Sequence, residues 1–585
     1  MIILFFLLLF LFPQKIFASD EFLSNQQISY NIDENGQASV TQKITLTNNY
    51  SEIYAKEYQV VLSGTDIKNI TGQDQKGNII KNVDQQQEET YINLIFNQAI
   101  VGKDKSLEFT LNYIIPALAQ KKGKTWEVHL PSHQSDNSQN NLAIKVIVPE
   151  KLGKLSFSSV SRPRLSTFNA KHQIDLNNQQ ISHQKILLIF GDYQVFDFSL
   201  NYFLENPSSQ KIISSIPLPP DTNSQKVSYR QILPPPQNVT LDQDGNWLAQ
   251  YEISPDQELN IVADGQVKIT SPLVSTSSNP DLSGLTSTQP YWPVNHPQIQ
   301  TIAQSLKNSQ DIYNYVVSHL SYNYQIISSS QRQGALFALE NPTLSLCTEF
   351  TDLFITLARA KNIPAREVEG YAYTNNPKIK PTNPDADILH AWPQYFDQNK
   401  KTWVSVDPTW GKTTNGIDYY NDLDLNHFAF VFHGQNSSYP PPPGSYKNNH
   451  QTKTVKVDFS NTEIKNESQN LKISLLNKKI IVANPNLHSL NHVEIRLPLY
   501  KWTQNIFQIP PLAQISFNLP SLPFWKNFLP QYQKLNFHII SDENSFSQSL
   551  PLPDFRYNLL LTLTALIFIA SISGIIFHLF KKNHA

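Results

Sequence analysis

The sequence predicts a multidomain protein that consists mostly of β-structure, with one compact α+β segment and one C-terminal membrane helix. Three observations support this prediction. The chain has 585 residues, which is enough for about three to four domains. Apolar and polar residues alternate along two long segments, as in half-buried strands, and a helical spacing occurs between these segments. Residues 559–577 contain no charged side chain.

The first 18 residues are expected to form a secretory signal peptide. The apolar run at 2–12 is too short to span a bilayer, and the small residue Ala18 suits a cleavage site. No Lys or Arg precedes the run, so an uncleaved N-terminal anchor is the alternative. Either interpretation predicts that the following domains are exported.

Residues 20–270 are predicted to form an antiparallel β-sandwich region of one or two units. Alternating apolar residues share one face of an early strand: Ala38, Val40, Ile44 and Leu46. The pair Asn35-Gly36 is a typical hairpin turn. The proline clusters at 217–220 and 234–236 are candidate seams within this region. Residues 271–297 are rich in Ser, Thr and Pro, which predicts a linker.

Residues 298–439 are predicted to form an α+β domain, with helices first and strands after them. Ile312 and Val316 belong to a helical repeat with Ser309 at its N-cap position, and a second helix extends from Cys347 to about Asn362. Four strand-like runs follow, at 365–373, 389–396, 402–407 and 428–432. The proline-rich residues 440–454 are expected to be a stiff linker.

The C-terminal part is predicted to place the protein in the cell membrane. Alternation returns at 455–552, which indicates a second β-sandwich domain. Residues 557–580 are then a transmembrane helix, and the lysines in the tail 581–585 favour a cytoplasmic C-terminus. We therefore expect a single-pass protein with an extracellular ectodomain.

Composition excludes several classes of site. The net charge of −2 provides no electrostatic field for binding a nucleic acid. The single cysteine excludes intramolecular disulfides and zinc sites built from several cysteines. Three aspartates and a histidine resemble a metal cluster, but they lack EF-hand spacing and a solvated turn is favoured: Asp418, Asp422, Asp424 and His427. No cofactor and no metal site are expected.

Cys347 is the candidate nucleophile. It begins a predicted helix, where free backbone N–H groups and the helix dipole stabilise a thiolate and an oxyanion. Glu349 and Asp352 in the same turn oppose thiolate formation, so a cationic partner is required. The alternative is that Cys347 is a small buried apolar residue, which is common for a free cysteine.

A hairpin between two of the predicted strands supplies that partner. If its turn is centred between Gln398 and Asn399, His390 and Asp407 are direct cross-strand neighbours. Their Cβ atoms are then about 4.5–5.5 Å apart, which allows the carboxylate to accept a ring N–H. An imidazole oriented in this way can pair with a thiolate, although a purely structural His–Asp contact is the alternative.

These motifs together resemble the transglutaminase-like superfamily of papain-like cysteine enzymes. The resemblance covers about 150 residues and is carried by four stretches: Leu346-Cys347-Thr348-Glu349-Phe350, Ile363-Pro364-Ala365-Arg366, His390-Ala391-Trp392 and Val406-Asp407-Pro408-Thr409. It implies that Cys347 is the nucleophile, His390 the general base and acid, and Asp407 the orienting carboxylate. The chain has Asn362 where the family often has glycine.

The sequence thus leads to two hypotheses of different classes. The first is an extracellular cysteine enzyme that transfers or hydrolyses acyl groups of protein or peptide amides, including those of the cell envelope, through a Cys347 thioester. The second is a cell-surface scaffold or binding protein in which the triad is idle. An adhesive role for the β-domains is compatible with either hypothesis.

Overall fold

The structure is a computed structural model in which the chain forms two compact units, Met1–Tyr193 with Trp410–Asp424, and Gln194–Thr409 with Leu425–Ala585. The described residues are 21–63, 66–86, 89–131, 141–160, 163–181, 186–271, 281–327, 331–382, 387, 389–415, 417–421, 423–448, 453–521, 532, 534–552 and 555–582. The predicted signal peptide at 1–18 lies outside these residues.

The first unit is built from fifteen short strands in the described part of the chain. They are β1 Phe22–Ile32, β2 Ala38–Asn48, β3 Glu57–Ser63, β4 Lys68–Asp74, β5 Gly77–Asn78, β6 Ile80–Gln86, β7 Glu89–Ile95, β8 Ser106–Ile115, β9 Ala119–Lys122, β10 Thr125–His129, β11 Asn141–Pro149, β12 Leu155–Ser158, β13 Arg164–Phe168, β14 Lys171–Leu176 and β15 Leu187–Phe190. A short helix, α1 Asn178–Ile181, and a 3₁₀ turn, Glu150–Leu152, join them.

These strands form an eight-stranded sheet in the order β13-β14-β11-β1-β2-β8-β4-β5, together with the smaller sheets β12-β15-β10-β9 and β3-β7-β6. The predicted apolar face is confirmed, since all four of its residues in β2 are buried: Ala38, Val40, Ile44 and Leu46. The region is not purely antiparallel, because β1 pairs with β11 in parallel.

The first unit also includes a distant segment, Trp410–Asp424, which the sequence predicts to be part of the α+β domain at 298–439. The Tyr419 ring lies 5.3 Å from the Phe157 ring and 5.8 Å from the Trp410 ring, measured between centroids. Trp410 and Tyr419 are fully buried. Burial of these two large rings explains why the segment packs with the first unit.

The second unit begins with β-structure that the sequence analysis divided differently. Its first strands are β16 Tyr193–Glu205, β17 Ile212–Leu218, β18 Gln225–Leu233, β19 Asn238–Leu241, β20 Trp247–Ile253 and β21 Glu258–Thr270. The division between units falls at Tyr193 rather than at a proline cluster. The strand β26 Val455–Phe459, predicted for the C-terminal β-domain, pairs with β16 in the sheet β18-β21-β16-β26.

The α+β segment of this unit carries the predicted site. Its helices are α2 Pro297–Ser305, α3 Ser309–His319, α4 Ala335–Glu340 and α5 Cys347–Ala360, and its strands are β22 Ala365–Ala372, β23 His390–Asp397, β24 Thr402–Ser405 and β25 His427–His433. A further helix, α6 Pro408–Thr413, begins in this unit and continues into the segment of the first unit that starts at Trp410. The strand order is β24-β23-β22-β25, and α5 contacts β23 and β22. Asn308, not Ser309, caps α3 by accepting the N–H of Asp311.

Packing in this segment starts earlier than the predicted linker boundary at 297. Trp292 is fully buried, and its indole Nε1 donates to Asp352 Oδ1 over 2.7 Å. The Arg359 guanidinium lies 4.4 Å from the centre of the Trp292 ring. Through these contacts, residues that precede α2 pack against α5, the helix that begins at Cys347.

The C-terminal part contains the strands β27 Lys472–Leu476, β28 Lys479–Ala483, β29 Leu490–Leu497, β30 Trp502–Ile509, β31 Gln514–Asn518, β32 Lys534–Ile540 and β33 Ser545–Pro551, a 3₁₀ turn at Pro498–Tyr500, and the helix α7 Phe555–Lys582. The strands form two sheets, β27-β28-β31 and β30-β29-β32-β33. Within α7, Thr562–Leu579 has a mean hydropathy of 2.0 and is long and apolar enough to cross a membrane.

Candidate active site

Cys347 is the first residue of α5 and is partly exposed. The buried carboxylate of Glu349 fixes this helix start, because its Oε2 accepts the Leu346 N–H over 3.0 Å and its Oε1 accepts the Gln333 N–H over 3.0 Å. The first N–H groups of a helix have no acceptor within the helix. The thiol therefore lies at the end of α5 that stabilises negative charge.

His390 is the first residue of β23, and its side chain is buried. It pairs with Gly370 of β22, which in turn pairs with Ala429 of β25 at a register shift. A Cβ atom on Gly370 would lie 2.1 Å from the Phe428 carbonyl oxygen. Glycine is therefore needed here for β22 and β25 to approach closely.

The hairpin that brings Asp407 to His390 has a different register from the predicted one. In the structure Gln394 pairs with Ser405 and Tyr395 with Val404, so β24 ends before Asp407 is reached. His390 and Asp407 are thus not direct ladder partners. The actual pairing differs from the predicted one by two residues along β23, and this leaves His390 on the same face because side chains alternate with period two.

The imidazole and the carboxylate are in contact despite this shift. The Nε2–H of His390 donates to Asp407 Oδ2 over 2.9 Å, and both side chains are almost fully buried. The main chain around Asp407 is held by a bond from the Val406 N–H to the Pro393 carbonyl, and by one from the Tyr313 hydroxyl to the Asp407 carbonyl. Asp407 is therefore fixed by β23 on one side and α3 on the other.

A second histidine approaches the same carboxylate. His427, the first residue of β25, has its Nε2 atom 3.5 Å from Asp407 Oδ2, and its ring centroid is 5.9 Å from that of His390. The Trp392 ring stacks near His390 at 5.9 Å and meets His427 edge-on at 5.1 Å. One buried carboxylate thus faces two imidazoles, with an indole beside both.

The charges of these groups favour an ion pair between the His390 imidazolium and the Asp407 carboxylate. Burial lowers the pKa of His390, but Asp407 and, to a smaller extent, Cys347 through a hydrogen bond and its charge raise it to about 9. Burial raises the pKa of Asp407, yet His390 and then His427 offset this and lower it to about 2. Because Nε2 of His390 is bonded to Asp407, Nδ1 is the ring nitrogen available to the thiol.

Tyr322 is a further aromatic side chain near the thiol. Burial, followed by the charge of Cys347, raises the pKa of its hydroxyl. The residue is held beside the start of α5 by a parallel bridge to Ser345 and by a bond from the Asn323 N–H to the Ser345 carbonyl of 3.0 Å. Tyr322 therefore lies close to the space in which an acyl group would meet Cys347.

The structure brings all three predicted residues together, and it adds His427, which the sequence had suggested only for a disfavoured aspartate cluster. Asp422 of that cluster lies outside the described residues, while Asp418 accepts the N–H groups of Tyr420 and Asn421 in a turn. In the sequence His427 lies directly before the predicted strand 428–432. Its neighbours become apparent only from the pairing of β25 with β22, which is not sequential.

Comparison with known families agrees with this geometry. Residues 294–408 match the model of the transglutaminase-like superfamily, so the chain contains a transglutaminase-like domain. This superfamily consists mainly of cysteine enzymes, and the matched segment contains Cys347, His390 and Asp407. A search of curated protein sequences found no match.

Two of the similar solved structures are distant likenesses. A candidate cysteine protease from Cytophaga hutchinsonii is 14% identical with a TM-score of 0.30, and the match covers 62% of this chain and 99% of that one. An M1 zinc metallopeptidase from Deinococcus radiodurans is 12% identical with a TM-score of 0.19, covering 32% and 44%. At these TM-scores neither likeness bears on function.

Proposed function

We propose that this protein is a membrane-anchored extracellular cysteine enzyme that performs acyl transfer or hydrolysis on protein or peptide amides. The observation that carries the proposal is the buried His390 imidazole, which is bonded to Asp407 over 2.9 Å and also interacts with Cys347. A nucleophile, a base and an orienting carboxylate are the three groups that acyl transfer through a cysteine requires.

Transfer of the Cys347 thiol proton to His390 Nδ1 gives the imidazolium described above. In the first half-reaction the sulfur of the resulting thiolate attacks the carbonyl carbon of the amide. The negative charge that develops on the carbonyl oxygen is met by N–H groups at the start of α5. His390 then returns the proton to the departing nitrogen. The products are ammonia or an amine and a thioester on Cys347.

In the second half-reaction an acceptor attacks the thioester. His390 Nδ1 takes a proton from an amine or from water, a bond forms to the acyl carbon, and the sulfur leaves and regains a proton from the imidazole. Asp407 remains ionised throughout and stabilises the imidazolium. An amine acceptor gives a cross-link. With water as acceptor, attack on a backbone amide gives a cleaved peptide and attack on a side-chain carboxamide gives a deamidated side chain.

The choice of acceptor is tested by incubating the full-length protein, in detergent, with a glutamine-containing peptide and a primary amine. Mass spectrometry separates amine incorporation from deamidation and from backbone cleavage. We expect one of these products with the wild-type protein and none with Cys347→Ser. The alternative, a scaffold with an idle triad, predicts no product and slow alkylation of Cys347 by iodoacetamide at neutral pH.

The proposed location rests on the two ends of the chain. The apolar run that precedes Ala18 supports export, and the helix α7, which ends in two lysines, supports anchoring with a cytoplasmic tail. The partners proposed are a protein or peptide substrate outside the cell and the membrane itself. No cofactor is required for the steps above.

A further inference from the structure

Three side chains with potential metal-ligand atoms lie close together near the proposed nucleophile. Ligand atoms of His390, Asp407 and His427 all lie within 4.8 Å of one another, and all three residues are buried. The ring nitrogens close to Asp407 Oδ2 are Nε2 of His390 and Nε2 of His427. The carboxylate oxygen is 2.9 Å from the first nitrogen and 3.5 Å from the second. Both imidazoles therefore direct the same ring nitrogen toward one oxygen atom.

This spacing suits a zinc ion. Bonds of about 2.0–2.1 Å in a tetrahedral site separate neighbouring ligand atoms by about 3.3 Å, a value that lies between the two distances above. Two imidazoles and one carboxylate are typical zinc donors, whereas calcium and magnesium prefer sites made of oxygen. Three protein ligands would leave the fourth position for water.

A second group in the described part of the chain meets the same spacing but already holds a cation. Glu367, Glu369 and His433 lie within 4.8 Å of one another. The Arg332 guanidinium occupies this group, with its Nη1 atom 2.9 Å from Glu367 Oε2. Its positive charge opposes entry of a metal ion, so the group with two histidines is the better site.

We propose that the protein binds one zinc ion through His390, Asp407 and His427, and that the ion inhibits the reaction at Cys347. The inhibition rests on the proposed function, whereas the binding does not. The ligand involved is the free divalent ion, and no covalent or redox step accompanies its binding.

Inhibition follows from where the ring protons must lie. To bind zinc, Nε2 of His390 must present its lone pair, so the proton of the neutral ring moves to Nδ1, and an imidazolium releases its second proton to water. Nδ1 is the nitrogen that takes the thiol proton. With zinc bound it already carries a proton and has no lone pair to accept another, which removes the base.

Binding is tested by isothermal titration calorimetry, in which zinc chloride is added to the metal-stripped full-length protein in detergent. We expect one zinc per chain, no binding of magnesium or calcium, and at least a tenfold loss of zinc affinity in His427→Gln. The matched control is His433→Gln, which alters the other cluster and should bind zinc normally. Absence of zinc binding, or equal affinity in His427→Gln, would overturn the proposal.

The position of the ion is tested with Cys347→Ala. In the proposed mechanism the sulfur gives its proton to Nδ1 of His390, whereas the proposed zinc ligand is Nε2, so this variant should bind zinc with unchanged affinity. A large loss of affinity in Cys347→Ala would instead place the metal between the sulfur and the imidazole, and would contradict the ligand set proposed here.

Inhibition is tested without a substrate, by the rate at which iodoacetamide alkylates Cys347. We expect zinc to slow alkylation in the wild type, EDTA to restore it, and the effect to require a tenfold higher zinc concentration in His427→Gln. An alkylation rate that zinc leaves unchanged would refute the inhibition. Zinc binding without any acyl transfer would remove the proposed function and leave the zinc site intact.

Discussion

Asp407 is the residue through which the chemistry of the site is most directly tested. Its carboxylate is bonded to His390 and its negative charge raises the pKa of that imidazole. In Asp407→Asn the shape is kept and the charge is lost, so the imidazolium formed during reaction is no longer stabilised. We expect kcat for the acyl-transfer product to fall by about 10²–10⁴-fold with little change in KM.

The matched control for this substitution is Asp397→Asn. Asp397 Oδ1 accepts the N–H groups of Asn399 and Lys400 in the hairpin turn, a role that an asparagine oxygen can also fill. We expect this variant to stay within a factor of two of the wild type. Normal kcat in Asp407→Asn would rule out the orienting role.

At this scale the sequence was sufficient to predict that His390 and Asp407 are in contact, and insufficient to predict that His427 approaches the same carboxylate. The predicted contact between His390 and Asp407 is present although the predicted register is wrong by two residues. Side chains alternate between the two faces of a strand, so a shift of two residues leaves His390 on the same face. Asn362, where the family often has glycine, has φ 58°, and asparagine tolerates this left-handed conformation. The approach of His427 to Asp407 depends on the pairing of β25 with β22, which are not consecutive strands. The local sequence contains no signal for this pairing.

Among the elements, α5 is held in place by a buried ion network. Arg332 bonds Asp352 of α5 through Nε over 3.0 Å and through Nη2, and it bonds Glu367 of β22 through Nη1 over 2.9 Å. Both carboxylates are fully buried. The network thus links the helix that begins at Cys347 to the strand that pairs with β23.

Removing the cation from this network should be costly. In Arg332→Met the buried Asp352 loses its cationic partner and the buried Glu367 keeps only His433, so we expect the free energy of unfolding to fall by about 3–5 kcal/mol. Urea unfolding followed by tryptophan fluorescence measures this change. The control is Lys211→Met, which breaks an exposed pair with Glu252 and should change stability by less than about 1 kcal/mol. Equal small effects would show that the network is not important for stability.

The same network predicts a pH dependence of stability. Burial lowers the pKa of His433, but its bond to Glu367 of 2.8 Å and the charge of that carboxylate raise it to about 9. Because the folded pKa exceeds the unfolded value of about 6.5, the stabilisation is complete below pH 6.5 and is lost as pH rises toward 9. Its full size is about 3 kcal/mol.

We therefore expect the free energy of unfolding to decrease between pH 6.5 and pH 9, and to decrease less in His433→Gln. His390, which also has a raised pKa, contributes a loss in the same direction to both proteins. The free energy of unfolding is therefore measured by urea unfolding at several pH values for both proteins. The informative quantity is the difference between the wild type and His433→Gln in how steeply this free energy falls with pH. Parallel slopes would contradict an ionised His433 paired with Glu367.

For the whole molecule, composition and periodicity predicted a β-rich chain with one α+β segment, but they did not predict how the chain is divided. Alternation identifies a strand without naming its partner, so the pairing of β26 with β16 was missed. The burial of Trp410 and Tyr419 with the first unit was missed for the same reason. Both features depend on contacts between residues far apart in the sequence.

The C-terminal helix provides the last prediction at this scale. Thr562–Leu579 has a mean hydropathy of 2.0, and none of it is buried against the rest of the protein. About 18 apolar residues without a protein partner are accommodated by a bilayer core of about 30 Å. We expect the full-length protein to stay in the membrane pellet after alkaline carbonate extraction, and a chain ending at residue 552 to be released.

The matched control is a full-length variant with Ile567→Lys and Ile572→Lys. Charges near the bilayer centre oppose insertion at about 2.5–3.5 kcal/mol each, so this variant should also be released. Retention of both altered proteins in the pellet would mean that another part of the chain anchors the protein.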